Sequence, residues 1–271
     1  MGQLLPLAYC LLTRKTRAIY TQMFLSLKDQ AEKRGFSVCV TCLRVDFEDA
    51  CIKAFTDVFP EARVECCFFH LCQAHWRKIV DLGLRTQYIA DEHLALSLRM
   101  FTALAFMPVE HLYHVFAELC ETVPDAAHAI IPYMEETYVG GYRFKSSTKP
   151  DGSLVLKRQW REPTYPVGLW NVHERTLAGE PRTNNQLEGW HRRFKTIVDK
   201  HHPNIFLLID KLRSEQSRTE TQVEKLIGGQ KPADSRQKTK KANDQITRIV
   251  KDYGKRPVLD FLKGISFNIK Y

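Results

Sequence analysis

Residues 37–69 read SVCVTCLRVDFEDACIKAFTDVFPEARVECCFF and contain the pattern that decides the fold. The first run, Ser37 to Val45, is rich in Val and Cys and predicts a strand. An amphipathic helix is predicted from Asp46 until Pro60 stops it, and a second strand from Arg63 to Phe69. Strand, helix and strand in this order are typical of a parallel βαβ unit with a helix on the face of the sheet.

The segments on either side extend this pattern. An apolar run from Leu4 to Leu12 predicts another strand, and the spacing after Thr16 predicts a helix that ends at Gly35. After His70 the predicted elements are helices, apart from a hairpin within residues 143–160. We therefore expect an α/β core that is interrupted by a mostly helical insertion, with a helical C-terminal extension.

Four segments follow from this pattern. Residues 1–82 are expected to form the first part of the core, and residues 83–181 the helical and loop insertion. Residues 182–229 are expected to supply the C-terminal core helices. Residues 230–271 are expected to form a linker and a basic tail.

Composition limits the classes of protein and partner. The 271 residues are 44% hydrophobic, which suits a packed core, and no apolar run reaches the ~18 residues of a membrane span, so no membrane partner is expected. Residues 182–271 carry 20 of the 40 Lys and Arg residues but only 10 of the 31 Asp and Glu residues. This asymmetry favours a polyanionic partner such as nucleic acid; the alternative is a solvated basic tail with no specific partner.

Asp46 follows the strand predicted at residues 37–45 and begins the run DFE at 46–48. The carboxyl end of a parallel strand faces the binding crevice of an open sheet, and a carboxylate there can hold a divalent cation. In two-metal sites such ions activate a water and stabilise the leaving oxygen. The alternative is that Asp46 only caps the helix. The negative charge of Glu48 interacts favourably with the dipole at the helix N-terminus, so Glu48 needs no catalytic role.

A second acid, Glu188, lies on a helix predicted over residues 184–200. The apolar residues of this helix form one stripe: Leu187, Trp190, Phe194 and Ile197. The adjoining polar stripe contains Glu188, His191, Arg192, Lys195 and Asp199. A carboxylate at the edge of the core can face a crevice. The alternative is a surface ion pair between Glu188 and Arg192, one helical turn apart.

Two pairs of residues have spacings that are seen in metal sites. Cys39 and Cys42 lie in a predicted strand, where positions three apart point to opposite faces, so we do not expect zinc there. Cys67 and His70 lie at the end of a strand, where two side chains converge more easily. They either bind a metal or place a hydrogen-bonding histidine beside the crevice, and we favour the structural histidine. No export signal precedes these residues, so the eight cysteines are expected to be free thiols.

The order of three runs resembles the core of the Mutator-like element (MULE) transposases. These runs are DFE at 46–48, CFFH at 67–70 and RTNNQLEGWH at 182–191. Three shorter strings add to the resemblance: VFP at 58–60, LAFMP at 104–108 and WNVHER at 170–175. The resemblance covers about residues 4–229 and depends on the combination rather than on any single motif.

The resemblance implies an RNase H-like fold that cuts and joins DNA with acids that hold Mg²⁺ or Mn²⁺. Asp46 matches the second metal-binding acid and Glu188 the third. The first acid of the family would precede the segment at 4–12, but no Asp precedes Asp29, which lies on a predicted helix. We therefore expect a core truncated at its first strand and little or no strand cleavage. The alternative is a domesticated, non-catalytic DNA-binding or interaction protein.

The resemblance also implies a nuclear protein whose partner is DNA. The residues expected to contact DNA are His191, Arg192, Arg193 and Lys195, together with the basic segment 236–241. The residues expected to support the site are Cys67, His70, Asn184, Asn185 and Trp190. Zinc is not expected as a cofactor, and a homo-oligomer is left open.

Overall fold

The structure is a computed structural model that describes residues 4–148, 153–183, 185–200, 202–230 and 237–271. Within these residues it is an α/β protein in which helices form most of the regular structure. The side chains of residues 147, 185, 186 and 237–240 are not part of the description. The sequence prediction of an α/β protein with many helices is confirmed.

The elements of the described ranges are numbered in chain order. The strands are β1 (Cys42–Val45), β2 (Arg63–Cys66), β3 (Gly141–Thr148) and β4 (Leu154–Arg161). The helices are α1 (Arg17–Glu32), α2 (Asp49–Val58), α3 (Phe68–Asp81), α4 (Arg85–Ala90), α5 (Glu92–Ala103), α6 (Val109–Thr122), α7 (Ile131–Met134), α8 (Val167–Trp170), α9 (His173–Leu177), α10 (Asn185–Val198), α11 (Ile205–Ile227), α12 (Gln237–Lys251) and α13 (Val258–Ser266). Short 3₁₀ turns at Leu104–Phe106 and Asp125–Ile130 and a π-helical turn at Glu135–Val139 complete the helical segments.

β1 and β2 form the parallel pair that the sequence predicts, and α2 connects them. Their register pairs Val45 with Cys66, so both strands end at the same edge. Each strand is shorter than predicted, because β1 starts at Cys42 and Phe68 already belongs to α3. A two-stranded sheet establishes the α/β class, and the RNase H-like core stays a prediction.

The strand predicted at residues 4–12 is wrong. These residues form no strand, and they pair with neither sheet in the described part of the chain. Leu7 is 95% exposed and Leu11 56% exposed, so the apolar side chains are not buried as those of a central strand are. Pro6 also lacks an N–H to donate to a ladder. An apolar run forms a strand only where a neighbour accepts its backbone hydrogen bonds.

The described residues divide into two compact units. The first unit draws on Met1–Val40, Asp49–Glu61 and Thr183–Thr239. The second unit draws on Thr41–Glu48, Ala62–Arg182 and Lys240–Tyr271. The four segments expected from the sequence remain a prediction.

In the first unit, α1 packs on α2 through aromatic side chains. Thr16 caps α1 as its side chain accepts a hydrogen bond from the Ile19 N–H. The ring of Phe24 lies 5.4 Å from that of Phe55 and 6.3 Å from that of Phe59, both edge-on. α10 and α11 form a second helical pair of the same unit.

In the second unit, helices surround an apolar core. α13 packs on α5 and α6. Phe101, Leu104 and Phe106 are fully buried, as are Phe261 and Ile265 of α13. The hairpin of β3 and β4 confirms the one predicted at residues 143–160. α13 was not predicted.

Candidate functional site

The carboxyl ends of β1 and β2 form one edge in the second unit. Asp46 follows β1 directly, and Cys67 follows β2. The Cys67 N–H donates to the Val45 carbonyl at 3.0 Å, which extends the parallel ladder to this edge. An edge of this kind is where open α/β sheets bind their ligands.

Asp46 and His70 meet at this edge. The Nδ1 of His70, in the first turn of α3, lies 2.8 Å from Oδ1 of Asp46. The side chain of Asp46 is 55% exposed and that of His70 is 22% exposed. The histidine therefore contacts one carboxylate oxygen of Asp46, while much of the carboxylate remains accessible to solvent.

Asp46 is not the residue that caps α2. The helix begins at Asp49, three positions later, and the chain turns between them with the Glu48 N–H on the Asp46 carbonyl at 2.7 Å. The simplest alternative for Asp46, a structural cap, is thus not what the fold uses it for.

Aromatic residues fix the backbone beside Asp46. The ring of Phe47 lies edge-on to Tyr165 at 4.9 Å and to Tyr138 at 5.8 Å. The hydroxyl of Tyr165 donates to the Phe47 carbonyl at 3.1 Å. These two tyrosines come from far along the chain, and nothing in their local sequence pattern indicates this contact.

A buried charge network lies under the same edge. Glu65 of β2 accepts a hydrogen bond from Arg44 Nε at 2.8 Å, and Arg175 Nη1 lies 3.4 Å from the same carboxylate oxygen. Burial acts to raise the pKa of Glu65, but the hydrogen bond from Arg44 and the charge of Arg175 outweigh it and lower the pKa. Arg44 also donates to Glu180 at 2.6 Å. Sequence reasoning missed this network.

The strings at 104–108 and 170–175 contact each other in the second unit. The side chain of Asn171 donates to the Met107 carbonyl at 2.7 Å, and the Val172 N–H donates to the Ala105 carbonyl at 2.7 Å. Nδ1 of His173 lies 2.8 Å from the Phe106 carbonyl. Three contacts to backbone carbonyl groups therefore join the two strings.

Arg182 connects this scaffold to the start of α3. Its carbonyl accepts from the Phe68 N–H at 3.1 Å, and its guanidinium donates to Asn243 at 2.5 Å. The guanidinium also lies over the ring of Phe106 at 5.4 Å. Burial, together with the charge of Arg175, lowers the pKa of Arg182 to about 10.

In the first unit, α10 carries the second acid and its aromatic neighbours. Glu188 is half-buried in the first turn of α10. Trp190 stacks on Phe194 at 5.0 Å and on Tyr9 at 5.9 Å, and its Nε1–H donates to Glu215 at 2.9 Å. Glu215 is a buried carboxylate of α11. Trp190 therefore connects α10 to α11.

The basic residues of α10 have two different environments. His191, Arg192 and Lys195 are exposed. Arg193 is half-buried, and its Nη2 pairs with Oε1 of Glu215. The charge of Arg193 is thus already neutralised inside the first unit, whereas the other three side chains face solvent.

The structure brings some of the predicted site residues together. It places Asp46, Cys67 and His70 at one edge of the second unit, with the Cys67 thiol buried. Glu188 belongs to the first unit, so its pairing with Asp46 stays a prediction. Asn184 and the side chain of Asn185 lie outside the described residues. Cys39 is exposed and Cys42 is half-buried, and none of the eight cysteines, all of which lie in the described ranges, forms a disulfide.

Comparison with known proteins gives one match. Residues 1–74 match the family model of the MULE transposase domain. This segment contains the Asp46 edge, with Cys67 and His70. No curated protein and no solved structure gives a significant match to the chain. Among the described residues, no helix has the length and apolar character that crossing a membrane requires.

Proposed function

Because the chain is related to the MULE transposases through residues 1–74, we propose that it is a transposase-derived, DNA-binding protein of the nucleus. We propose further that Asp46 and Glu188 are metal-binding acids inherited from that origin. The observation that carries the proposal is the position of Asp46: an accessible carboxylate at the carboxyl end of a parallel strand, contacted by His70 at 2.8 Å.

The residues at the Asp46 edge suit a hard divalent cation. Mg²⁺ and Mn²⁺ prefer oxygen ligands and are commonly held by one or two carboxylates together with substrate phosphates. The carboxylate of Asp46 is 55% exposed and can reach such an ion, and His70 lies beside it. A bound ion would supply charge stabilisation at the phosphate and a more acidic water. By the family resemblance, Glu188 is a further metal-binding acid.

Cleavage by these 271 residues alone is not part of the proposal. The family uses three acids, and Asp29 is the earliest Asp of this sequence. Asp29 lies on α1 and pairs with Lys33 at 2.7 Å. The hydrogen bond from Lys33 lowers the pKa of the Asp29 carboxyl group. This carboxylate is therefore part of a surface ion pair. Two acids position metal ions poorly, and positioning is most of what such a site contributes.

The DNA contact that we propose on α10 uses its exposed cations. His191, Arg192 and Lys195 point to solvent, and contacts from such residues to phosphates are independent of base sequence. Arg193 contributes through the fold rather than through DNA, because Glu215 already neutralises it. The segment 236–241 is a further candidate, of which residue 236 lies outside the described residues.

A salt titration tests the proposal. The purified chain is titrated onto a short fluorescein-labelled duplex at several salt concentrations, and each phosphate contact adds about 0.9 to the slope of log affinity against log salt. The double variant Arg192→Gln/Lys195→Gln should lower that slope by about one to two. A matched control, Lys33→Gln/Lys53→Gln, removes the same charge from exposed lysines that already pair with Asp29 and Asp49 and should leave the slope unchanged.

The same preparations are then incubated with supercoiled plasmid and Mg²⁺ or Mn²⁺. We expect binding without nicking. Absence of salt-dependent binding by the unaltered chain would refute the DNA-binding function. Nicking that disappears in Glu188→Gln would show that the site is complete and that the proposal of binding without cutting is wrong.

A further inference from the structure

The hairpin of β3 and β4 is a basic ribbon in the second unit. Its two strands contain five cationic residues, Arg143, Lys145, Lys157, Arg158 and Arg161, and no Asp or Glu. The strands are antiparallel and eight residues long, so each spans roughly 27 Å. The family match ends at residue 74 and does not include this hairpin.

The register sorts the side chains of the ribbon onto two faces, because directly opposed residues share a face. One face contains Tyr142 opposite Trp160 and Phe144 opposite Arg158. The cationic face contains five exposed residues: Arg143, Lys145, Lys157, Gln159 and Arg161. The ribbon is therefore amphipathic, and its charge is concentrated on one side.

Aromatic contacts hold the base of the ribbon against α6. Tyr113 of α6 lies edge-on to Trp160 at 5.3 Å and to Tyr142 at 6.4 Å. Arg158 stacks over the ring of Tyr142 at 3.8 Å. Because these contacts use the aromatic face, the cationic face is left toward solvent.

Two lysines at the middle of the cationic face have no carboxylate partner among the described residues. Arg161 pairs with Glu136 at 2.6 Å, and Arg143 lies 3.8 Å from Glu135. Lys145 and Lys157 face each other directly across the strands, and within the described ranges neither has a carboxylate at ion-pair distance. Opposed like charges weaken a hairpin. An anionic partner would remove that cost.

We propose that the cationic face of the β3–β4 ribbon binds the major groove of duplex DNA, as a contact separate from the polar stripe of α10. A two-stranded ribbon fits this groove, which is about 12 Å wide. Lys145 and Lys157 supply cations for the phosphates that border the groove. Gln159 adds an amide, the group that pairs with the adenine edge there.

This inference rests on the proposed DNA-binding function, so its test must separate the two. The full chain and the variant Lys145→Gln/Lys157→Gln are titrated onto the same labelled duplex between about 50 and 200 mM salt. Two lost phosphate contacts should lower the slope of log affinity against log salt by about 1.8, so that over this range the unaltered chain loses roughly 12-fold more affinity than the variant. The Lys145→Arg/Lys157→Arg variant keeps the charge and should bind as the unaltered chain does.

Loss of the fold does not explain the expected result, since replacing two opposed lysines removes a repulsion within the hairpin. Circular dichroism checks this directly. Dimethyl sulfate protection of guanine N7, which lies in the major groove, should be present with the unaltered chain and weaker with the Gln variant.

The outcomes are distinct. If the unaltered chain does not bind, the DNA-binding function itself fails. If it binds and the Gln variant keeps both slope and N7 protection, the ribbon proposal is overturned while the function stands. If polyglutamate displaces the chain as well as unlabelled duplex does, the ribbon is a general anion surface and the proposal is also overturned.

Discussion

Replacement of Glu65 by Gln tests whether the buried network under the Asp46 edge stabilises the second unit. The side chains of Glu65 and Arg175 are only 9% and 6% exposed. Removing one partner of a buried ion pair costs about 3–5 kcal/mol, because the other charge is left uncompensated. Gln can still accept the hydrogen bond from Arg44, and Arg44 keeps Glu180. We therefore expect a loss of about 3 kcal/mol in the free energy of unfolding.

Glu180→Gln is the matched control. It removes the other carboxylate partner of Arg44, but the Glu180 side chain is 40% exposed. Exposed pairs contribute about 0–1 kcal/mol. Urea unfolding followed by circular dichroism measures both variants, and hydrogen exchange of β2 and α9 locates the loss. Equal losses below about 1 kcal/mol in the two variants would contradict the reasoning.

The acid side of the stability curve gives a second readout of the same variant. The pKa of Glu65 is lower in the folded protein than its usual value of 4.5, because the contacts with Arg44 and Arg175 outweigh the effect of burial. A carboxyl group whose pKa is lower in the folded state stabilises the fold at pH values above its pKa in the unfolded state. That stabilisation is lost as the pH falls through its pKa in the folded state. Stability below about pH 4.5 should therefore fall less steeply in Glu65→Gln than in the unaltered chain.

Two further predictions concern His75 and Gly140. Burial lowers the pKa of His75 to about 3. Between this value and the usual pKa of 6.5, only the unfolded chain binds the proton. The free energy of unfolding should therefore fall by about 1.4 kcal/mol for each pH unit by which the pH is lowered in this range. His75→Phe should reduce the slope of unfolding free energy against pH by that amount, and an unchanged slope would count against a buried neutral histidine. Gly140 has φ +82, and a Cβ there would lie 2.7 Å from the Trp160 ring and 3.0 Å from the Arg161 carbonyl. Gly140→Ala should therefore cost at least about 1 kcal/mol more than Gly83→Ala, which shares the positive φ but has open space, and equal melting temperatures would contradict this.

Local signals predicted most of the helices. Thr16 caps α1 where the sequence places the helix start, and Gly35 has φ +79 after its end. The buried residues of α1 are Tyr20 and Phe24. Periodicity shows that a helix has an apolar side, whereas the partner helix α2 decides which side chains it covers.

The candidate site was predictable only where it depends on strand ends. Asp46 could be found because it follows a strand, and His70 because the next parallel strand ends beside it. Arg175 and Tyr165 reach the same edge through tertiary packing, and no spacing in the sequence encodes that approach. Glu65 could not be found in this way, since a buried carboxylate cannot be recognised without its arginine partners.

The arrangement of the second unit has a consequence for biosynthesis. α5 is made long before α13, whose apolar residues Phe261, Leu262 and Ile265 cover it. Until then α5 presents an uncovered apolar surface, and nascent chains with such a surface are held by chaperones or degraded. If translation stalls in the lysine-rich residues before α13, the released chain lacks the helix that completes the apolar core of the second unit.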